Sequence, residues 1–415
     1  MFGDLVRTHR RRLSLTQEDL AARSGVALRS IGKIENGRTC APRAATVRLL
    51  AGALGLADAD LTGFLVAASG QEPSAGPAQL PVDVRGFTGR SGELSRLDAL
   101  PTPTAAVVCA VSGAAGVGKS ALAVHWSHRA RGRFPDGQLH VDLRGSTAPR
   151  RPAEALRDLL EALGVPEDRV PSAPDRRAAL YRGLLDGKRV LVLLDDARDT
   201  TQVRPLLPAA PGCLALVTSR GALTGLITGV GAHPLPLGAL PHGQARDLLT
   251  ARLGAARTSA EPRAVDRLAA ATAGLPLALA AVAARAATRP GLPLAALAEE
   301  LSRSGLDVLG DSDDPATDVR AALAWARGAV GADAARLLRL LAGCADDGVG
   351  ASCAAVLAGC SPERAADLLA ELASVHLLAE RSPGRYALPD LPRACARGSA
   401  GHRGPAPREV ARAAG

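Results

Sequence analysis

Residues 113–120 read Gly113-Ala114-Ala115-Gly116-Val117-Gly118-Lys119-Ser120, a complete G-x-x-x-x-G-K-[ST] phosphate loop. The apolar run Ala105-Ala106-Val107-Val108-Cys109-Ala110-Val111 precedes it and reads as a buried strand. Ala121-Leu122-Ala123-Val124-His125-Trp126 follows and reads as a helix. Strand, loop and helix in this order are the context that gives the motif its meaning. Glycines let backbone N–H groups turn inward around phosphates, and the following helix aims its positive end at them. Lys119 supplies a mobile cation for the outer phosphates and Ser120 a hydroxyl for Mg²⁺. The lysine is informative because the chain has only Lys33, Lys119 and Lys188, its other basic residues being arginine. Gly113, Gly116, Val117, Gly118, Lys119, Ser120 and Ala121 are the expected nucleotide-binding residues, with ATP or ADP and Mg²⁺ as cofactors.

Around the loop, from about residue 84 to 235, short apolar runs alternate with amphipathic stretches. Strands are expected near 105–111, 138–143, 189–194 and 214–218, and helices near 119–131, 152–163 and 174–186. This is the pattern of a parallel α/β sheet. Leu191-Val192-Leu193-Leu194-Asp195-Asp196 is an apolar strand ending in two acids. In phosphate-loop NTPases such an acid holds Mg²⁺ and a second one can orient the attacking water. Asp195, with Ser120, is therefore the expected metal residue and Asp196 the expected catalytic acid. Thr218-Ser219-Arg220 closes the next strand, which brings Arg220 to the sheet edge where ligands bind. Arg220 reads as a γ-phosphate sensor, or alternatively as a solvent-exposed arginine or an ion-pair partner of Asp196.

The chain has 415 residues, 47% of them apolar but only 2% aromatic, so two to four domains with aliphatic cores are expected. Residues 1–56 hold ten basic side chains against four acids, and residues 381–415 hold seven arginines against two. A basic N-terminal module points to nucleic acid, an arginine-rich solubilising surface being the alternative. No apolar run reaches membrane-spanning length without a charge or a Pro/Gly break, and the charged start has no signal-peptide core, so a soluble cytoplasmic protein is expected. The seven cysteines form no C-x-x-C pair and read as reduced, mostly buried thiols.

The expected architecture is multidomain, α and α/β. It comprises an all-α helix-turn-helix (1–68), a Pro/Gly/Ser-rich linker (69–84), a P-loop parallel α/β sheet (85–236), a helical lid (237–308), a winged-helix domain (309–397) and a disordered tail (398–415). In the first module, helices are expected at 4–13, 17–23 with Thr16 as N-cap, and 27–35 ending at Asn36-Gly37, with Gly25 making the turn. Leu20, Val26, Ile31, Ile34, Leu49, Leu50 and Leu54 are the expected core. Beyond 240, helices are expected at 242–253, 261–273 and 276–287.

Two resemblances follow from these residues. Leu15-Thr16-Gln17-Glu18-Asp19-Leu20-Ala21, Gly25-Val26 and Ile31-Gly32-Lys33-Ile34-Glu35-Asn36-Gly37 closely resemble the Cro/C1-type (xenobiotic-response-element) helix-turn-helix. The resemblance implies that helix 27–35 enters the major groove of double-stranded DNA. It places Gln17, Leu28, Arg29, Ser30, Lys33, Asn36 and Arg38 at bases or phosphates. Phe87-Thr88-Gly89-Arg90, the phosphate loop, Leu194-Asp195-Asp196, Thr218-Ser219-Arg220 and Gly274-Leu275-Pro276-Leu277-Ala278-Leu279 occur in the order found in NB-ARC proteins, the STAND signalling NTPases. The wording is similar to actinobacterial regulators in which a DNA-binding domain precedes the NB-ARC. By that likeness Phe87 and Arg90 frame the adenine, Pro276 contacts it from the lid, and residues 316–397 form a winged helix that closes over the nucleotide. Where the family places a His that reaches the ADP β-phosphate, this chain has Pro389, followed by Asp390, which implies a weakened ADP lock. By the same likeness, relatives usually continue into a helical-repeat sensor, so the chain is expected either to have lost that sensor or to be a fragment.

Together these readings imply an ATP/ADP-switched DNA-binding transcriptional regulator in which nucleotide state controls homo-oligomerisation and promoter binding. Any hydrolysis would be slow. The alternatives are an ATPase that remodels a protein partner and a degenerate scaffold with permanently bound ADP. Steady turnover above ~1 s⁻¹ would mark the first, and unexchangeable ADP the second.

Overall fold

A computed structural model describes residues 2–37, 42, 44–56, 64, 76–101, 105–304, 309, 318–319, 330–344, 348–375, 377–388 and 393. The chain divides into two compact units, Met1–Gly76 and Pro77–Gly415, at a point inside the Pro/Gly/Ser-rich stretch. Arg38, Pro389, Asp390 and the tail from 398 lie outside the described residues.

The described residues of the first unit include the helices α1 (Phe2–Arg12), α2 (Gln17–Ser24), α3 (Leu28–Glu35) and α4 (Ala44–Ala53). Helix α2 starts where it does because Thr16 and Asp19 form a capping box. The Asp19 N–H donates to Thr16 Oγ1 at 3.1 Å and the Thr16 N–H to Asp19 Oδ2 at 2.8 Å. It stops at Gly25, whose φ of +70° closes the helix without side-chain strain. The core gathers Phe2, Val6, Leu20, Val26, Ile31, Ile34, Val47, Leu50, Leu54 and Phe64. Leu49 does not join it and is 52% exposed. Val47, Leu50, Ala51 and Leu54 follow the i, i+3, i+4, i+7 rhythm of the buried stripe, and Leu49 falls on the opposite side of α4.

The second unit is built on a five-stranded, wholly parallel sheet. Its strands are β1 (Val107–Gly113), β2 (Gln138–Asp142), β3 (Leu191–Ala197), β4 (Leu214–Ser219) and β5 (His233–Leu237), in the order β2-β3-β4-β1-β5. Helices pack both faces, as parallel strands demand. The period-two alternation is explicit: Leu191, Leu193, Leu214 and Leu216 enter one core, and Val192, Leu194, Ala215 and Val217 the other. Crossover helices span Lys119–Arg129, Pro152–Ala162 and Pro174–Leu185, close to the sequence expectation. Pro152, Pro174, Pro262, Pro276 and Pro362 each open a helix, where a missing N–H costs nothing.

Strand β5 has no counterpart in the sequence reading. Its sequence, His-Pro-Leu-Pro-Leu, carries two prolines, which argue against a strand interior. The sheet accepts it because β5 is an edge. Successive N–H groups alternate sides along a strand, so Pro234 and Pro236 both put their missing donors on the outer side. On that side Arg96 donates to the Pro234 carbonyl at 3.0 Å.

After the sheet come helices His242–Leu253, Ala255–Ala260, Pro262–Ala271, Pro276–Ala287 and Leu294–Ser304. They share one core with the sheet: Val111, Leu122 and Leu216 lie in the same cluster as Leu249, Leu268, Leu279 and Leu297. A separate cluster holds helices Ala332–Ala342, Ala351–Ala358 and Pro362–Ser374, followed by an antiparallel pair, β6 (Ala379–Ser382) and β7 (Arg385–Ala387). Among the described cysteines, Cys109 and Cys213 are buried, Cys344 and Cys360 are half-buried and Cys353 is exposed, so burial of the thiols is less complete than expected. No helix among the described residues is long and apolar enough to cross a membrane.

Candidate functional site

The phosphate loop leaves β1 at Gly113 and enters the next helix at Lys119. Gly116 has φ +75°, and a β-carbon there would lie 3.0 Å from the Leu277 side chain, so any side chain would be both strained and crowded. Lys119 is 8% exposed and folds back over its own loop. Its Nζ donates to the Gly113 carbonyl at 2.9 Å and to the Ala114 carbonyl at 2.8 Å. Burial, then the charge of Arg220, pulls the Lys119 ammonium down to about 8, with Asp196 and Asp195 opposing.

The two acids at the end of β3 diverge. Asp195 Oδ1 accepts from Ser120 Oγ at 2.8 Å and also from the buried Thr218 hydroxyl. Asp196 turns the other way, with φ +50°, a left-handed conformation that aspartate tolerates better than most residues. Its N–H donates to Thr218 Oγ1 at 2.9 Å, so one hydroxyl on β4 ties both acids together. Asp196 Oδ1 lies 3.8 Å from Arg220 Nε. Arg220 thus pairs with Asp196 and also lines the cleft. Burial lowers the Arg220 pKa, with Asp196 opposing.

The lid helix Pro276–Ala287 rests on the loop. The Leu277 N–H donates to the Gly116 carbonyl at 3.1 Å, and Pro276 faces Gly118. Arg90 is 5% exposed, and its guanidinium points into protein. It pairs with Glu93 at 2.8 Å and donates to the carbonyls of Val117 at 3.1 Å and Gly238 at 2.6 Å. This places Arg90 as a clamp on the phosphate loop, rather than with its charge turned to a base. Phe87 stacks on His125, with ring centroids 4.2 Å apart and planes 11° apart, and His125 Nδ1 in turn meets the Asp83 carboxylate at 3.1 Å. Phe87, Arg90, Lys119, Asp195, Arg220 and Pro276 all line one cleft of about 830 Å³, together with Gly116, Val117, Gly118, Ser120, Ala121 and Asp196. Gly113 carries the loop out of β1 at its base.

Sequence reasoning missed the wall formed by Asp142, Arg144, Ser146 and Thr147, and Arg252 on the lid side. The available signal was positional, because a loop leaving the C-terminal end of a parallel strand beside β3 faces the ligand edge. Ser146 contacts Asp196 directly, through its N–H at 2.9 Å and its Oγ at 2.6 Å, both to Oδ2. The preceding Gly145 has no room for a side chain. A β-carbon would lie 2.5 Å from the Asp196 carbonyl oxygen and press on the Arg198 amide. Gly145→Ala is expected to destabilise this unit by about 1–3 kcal/mol, lowering its melting temperature by several degrees in calorimetry.

In the first unit, Leu28, Arg29, Ser30 and Lys33 are exposed together on α3. Gln17 is half-buried, and its Nε2 donates to Glu35 Oε2 at 2.8 Å. Asn36 accepts from Arg7 at 3.4 Å. Glu35 itself is 3% exposed and receives Arg10 through Nε at 2.7 Å and Nη2 at 2.9 Å. Burial would raise its carboxyl, but hydrogen bonds from Arg10 and Gln17 and the charges of Arg10 and Arg7 hold it below the usual carboxylate range.

Comparisons with known proteins assign both units to known domain types. Residues 1–63 match a family model described as a helix-turn-helix domain, and residues 104–207 one described as an AAA domain. The regulatory protein AfsR of Streptomyces griseus is 41% identical over 330 residues, and that of Streptomyces coelicolor 40% identical over 335 residues. Each alignment covers 78% of this chain and 33% of the relative, so the chain spans about a third of the length of the curated relatives it matches. Among solved structures, a Walker-type ATPase of Pyrococcus abyssi aligns over 77% of this chain and 99% of its own at 13% identity, with a TM-score of 0.50, a likeness of fold. The chain therefore joins a helix-turn-helix domain to a P-loop ATPase domain and is homologous to the AfsR regulatory proteins.

Proposed function

We propose that the chain is a DNA-binding transcriptional regulator whose second unit binds ATP or ADP with Mg²⁺ and uses the nucleotide as a switch. The observation that carries this reading is the convergence of Lys119, Ser120, Asp195, Arg220 and Pro276 on one cleft. The donor set suits a magnesium nucleotide. Lys119 now satisfies itself on loop carbonyls, and a phosphate would offer it a better acceptor. Ser120 and Asp195 hold their oxygens 2.8 Å apart, the hard-oxygen pair that Mg²⁺ prefers. When bound, the ion would neutralise phosphate charge, and Ser120 and Asp195 would hold it.

On this reading α3 enters the major groove, with Arg29 and Lys33 on phosphates or base edges and Leu28 offering an apolar contact. The unit from Ala332 to Ala387 acts as a winged helix, and nucleotide state governs self-association. Paired half-sites are then bound more tightly through avidity. Nucleotide released from the purified protein by denaturation, together with mass photometry in ADP and in a non-hydrolysable ATP analogue, tests the switch. A single oligomeric state in both nucleotides rules it out. For DNA, Lys33→Ala should weaken binding to all sequences alike and reduce the log–log salt slope by about one, as read in titrations at several salt concentrations.

A further inference from the structure

The loop after β2, residues 143–150, lies against the end of β3 and is anchored there. The Leu143 N–H donates to the Asp195 carbonyl at 2.8 Å and the Gly145 N–H to the Asp196 carbonyl at 2.7 Å. The buried Gln202 amide donates to the carbonyls of Leu143 and Arg150, each at 2.9 Å, and so ties the two ends of the loop together. With Gly145 in backbone contact below it, Ser146 has a fixed seat. From that seat its N–H and hydroxyl both donate to Asp196 Oδ2, at 2.9 and 2.6 Å. An ionised carboxylate oxygen offers about two lone pairs, and those of Oδ2 are taken. Oδ1 faces Arg220 at 3.8 Å.

We propose that Ser146 is a positioning residue that holds Asp196 in a restrained orientation and thereby slows nucleotide hydrolysis. The inference rests on the reading that the cleft binds ATP. In the step concerned, a water oxygen bonds to the γ-phosphorus. The bond from that phosphorus to the β–γ bridging oxygen breaks, and its electron pair leaves on ADP. One water proton passes to Asp196 and the other stays on the phosphate formed. Oδ1 lies beside the Arg220 guanidinium, whose positive charge disfavours a proton on that oxygen, so the proton must go to Oδ2, through a lone pair not already committed to a donor. The Ser146 hydroxyl occupies one such position, and the anchored loop keeps it there before any nucleotide arrives. Removing the hydroxyl frees the lone pair, while the Ser146 N–H bond and the loop anchors remain.

The test uses the full chain and its variants Ser146→Ala, Ser146→Thr, Asp196→Asn and the Ser146→Ala/Asp196→Asn double variant. ATP affinity and the single-turnover rate of hydrolysis of bound ATP are measured for each. Ser146→Ala should raise the rate roughly three- to tenfold, the scale of one hydrogen bond, with ATP affinity within about twofold. Ser146→Thr, which keeps the hydroxyl, should restore the wild-type rate. In the Asp196→Asn background the Ser146→Ala change should have no effect. An unchanged or lower rate in Ser146→Ala with affinity intact overturns the restraint. An increase that persists in the Asp196→Asn background overturns the route through Asp196. Failure of the wild-type chain to bind ATP overturns the nucleotide reading itself, and the inference with it.

Discussion

Lys119→Ala is expected to weaken ATP and ADP binding by roughly 30- to 4,000-fold. Truncating one partner of a buried, hydrogen-bonded charge pair costs about 2–5 kcal/mol, and each 1.4 kcal/mol is a factor of ten. The loss should fall on both nucleotides, because the lysine meets phosphates and not the base. Isothermal titration calorimetry reads it directly, and retained affinity would refute the phosphate-loop assignment. The same lysine sets a pH dependence. In the nucleotide-free cleft its pKa is about 8, held down first by burial. Binding to phosphate favours the ammonium form and so raises that value. Affinity should then be flat below pH 8 and fall by up to tenfold per unit above it, as free Lys119 loses its proton. In Lys119→Ala the fall should vanish.

Glu35→Ala should be as damaging to the first unit as truncating one of its core residues. Glu35 anchors α3 to α1 and α2 by accepting from Arg10 and Gln17. Its removal leaves the Arg10 guanidinium, only 12% exposed, without its carboxylate partner. Breaking a buried ion pair from one side costs about 3–5 kcal/mol. A unit of this size has a total stability of only several kcal/mol. Hydrogen-exchange protection of the Leu20, Ile31 and Ile34 amides should therefore collapse in the intact chain, while β1 to β4 keep theirs. DNA binding should be lost with it. Glu35→Gln keeps the shape and much of the hydrogen bonding and should be milder. The sign with pH follows from the lowered carboxyl. Its contribution is fully present above the ordinary value of 4.5 and disappears as pH falls through the lower, folded value.

The sheet was legible wherever burial leaves a continuous apolar run. Strands β1, β3 and β4 are covered on both faces, and their residues report it. Strand β5 was hidden because its prolines, read locally, deny a strand, and only its place at the edge makes them harmless. Leu49 misled because α4 is so rich in Ala and Leu that its two faces differ little in composition. At the site, backbone-driven features were readable: the glycines, Lys119 and the paired acids sit where the motifs put them. The directions of long side chains were not. Arg90 was identified by its neighbours, but no local pattern says that its guanidinium turns onto Val117 and Gly238. Gln17 and Glu35 are 18 residues apart, and their hydrogen bond exists only once α2 and α3 have packed. Ser146 was invisible for the same reason, since its role comes from the path of a loop over β3.

The seating of helix Pro276–Ala287 on the phosphate loop has a mechanical consequence. Leu277 hydrogen-bonds Gly116, and the apolar side chains of both regions belong to one cluster. Sheet and following helices are thus welded at the point where a phosphate would press. A ligand arriving there meets loop and helix as two parts of one packed surface, so any adjustment of one is an adjustment of the other.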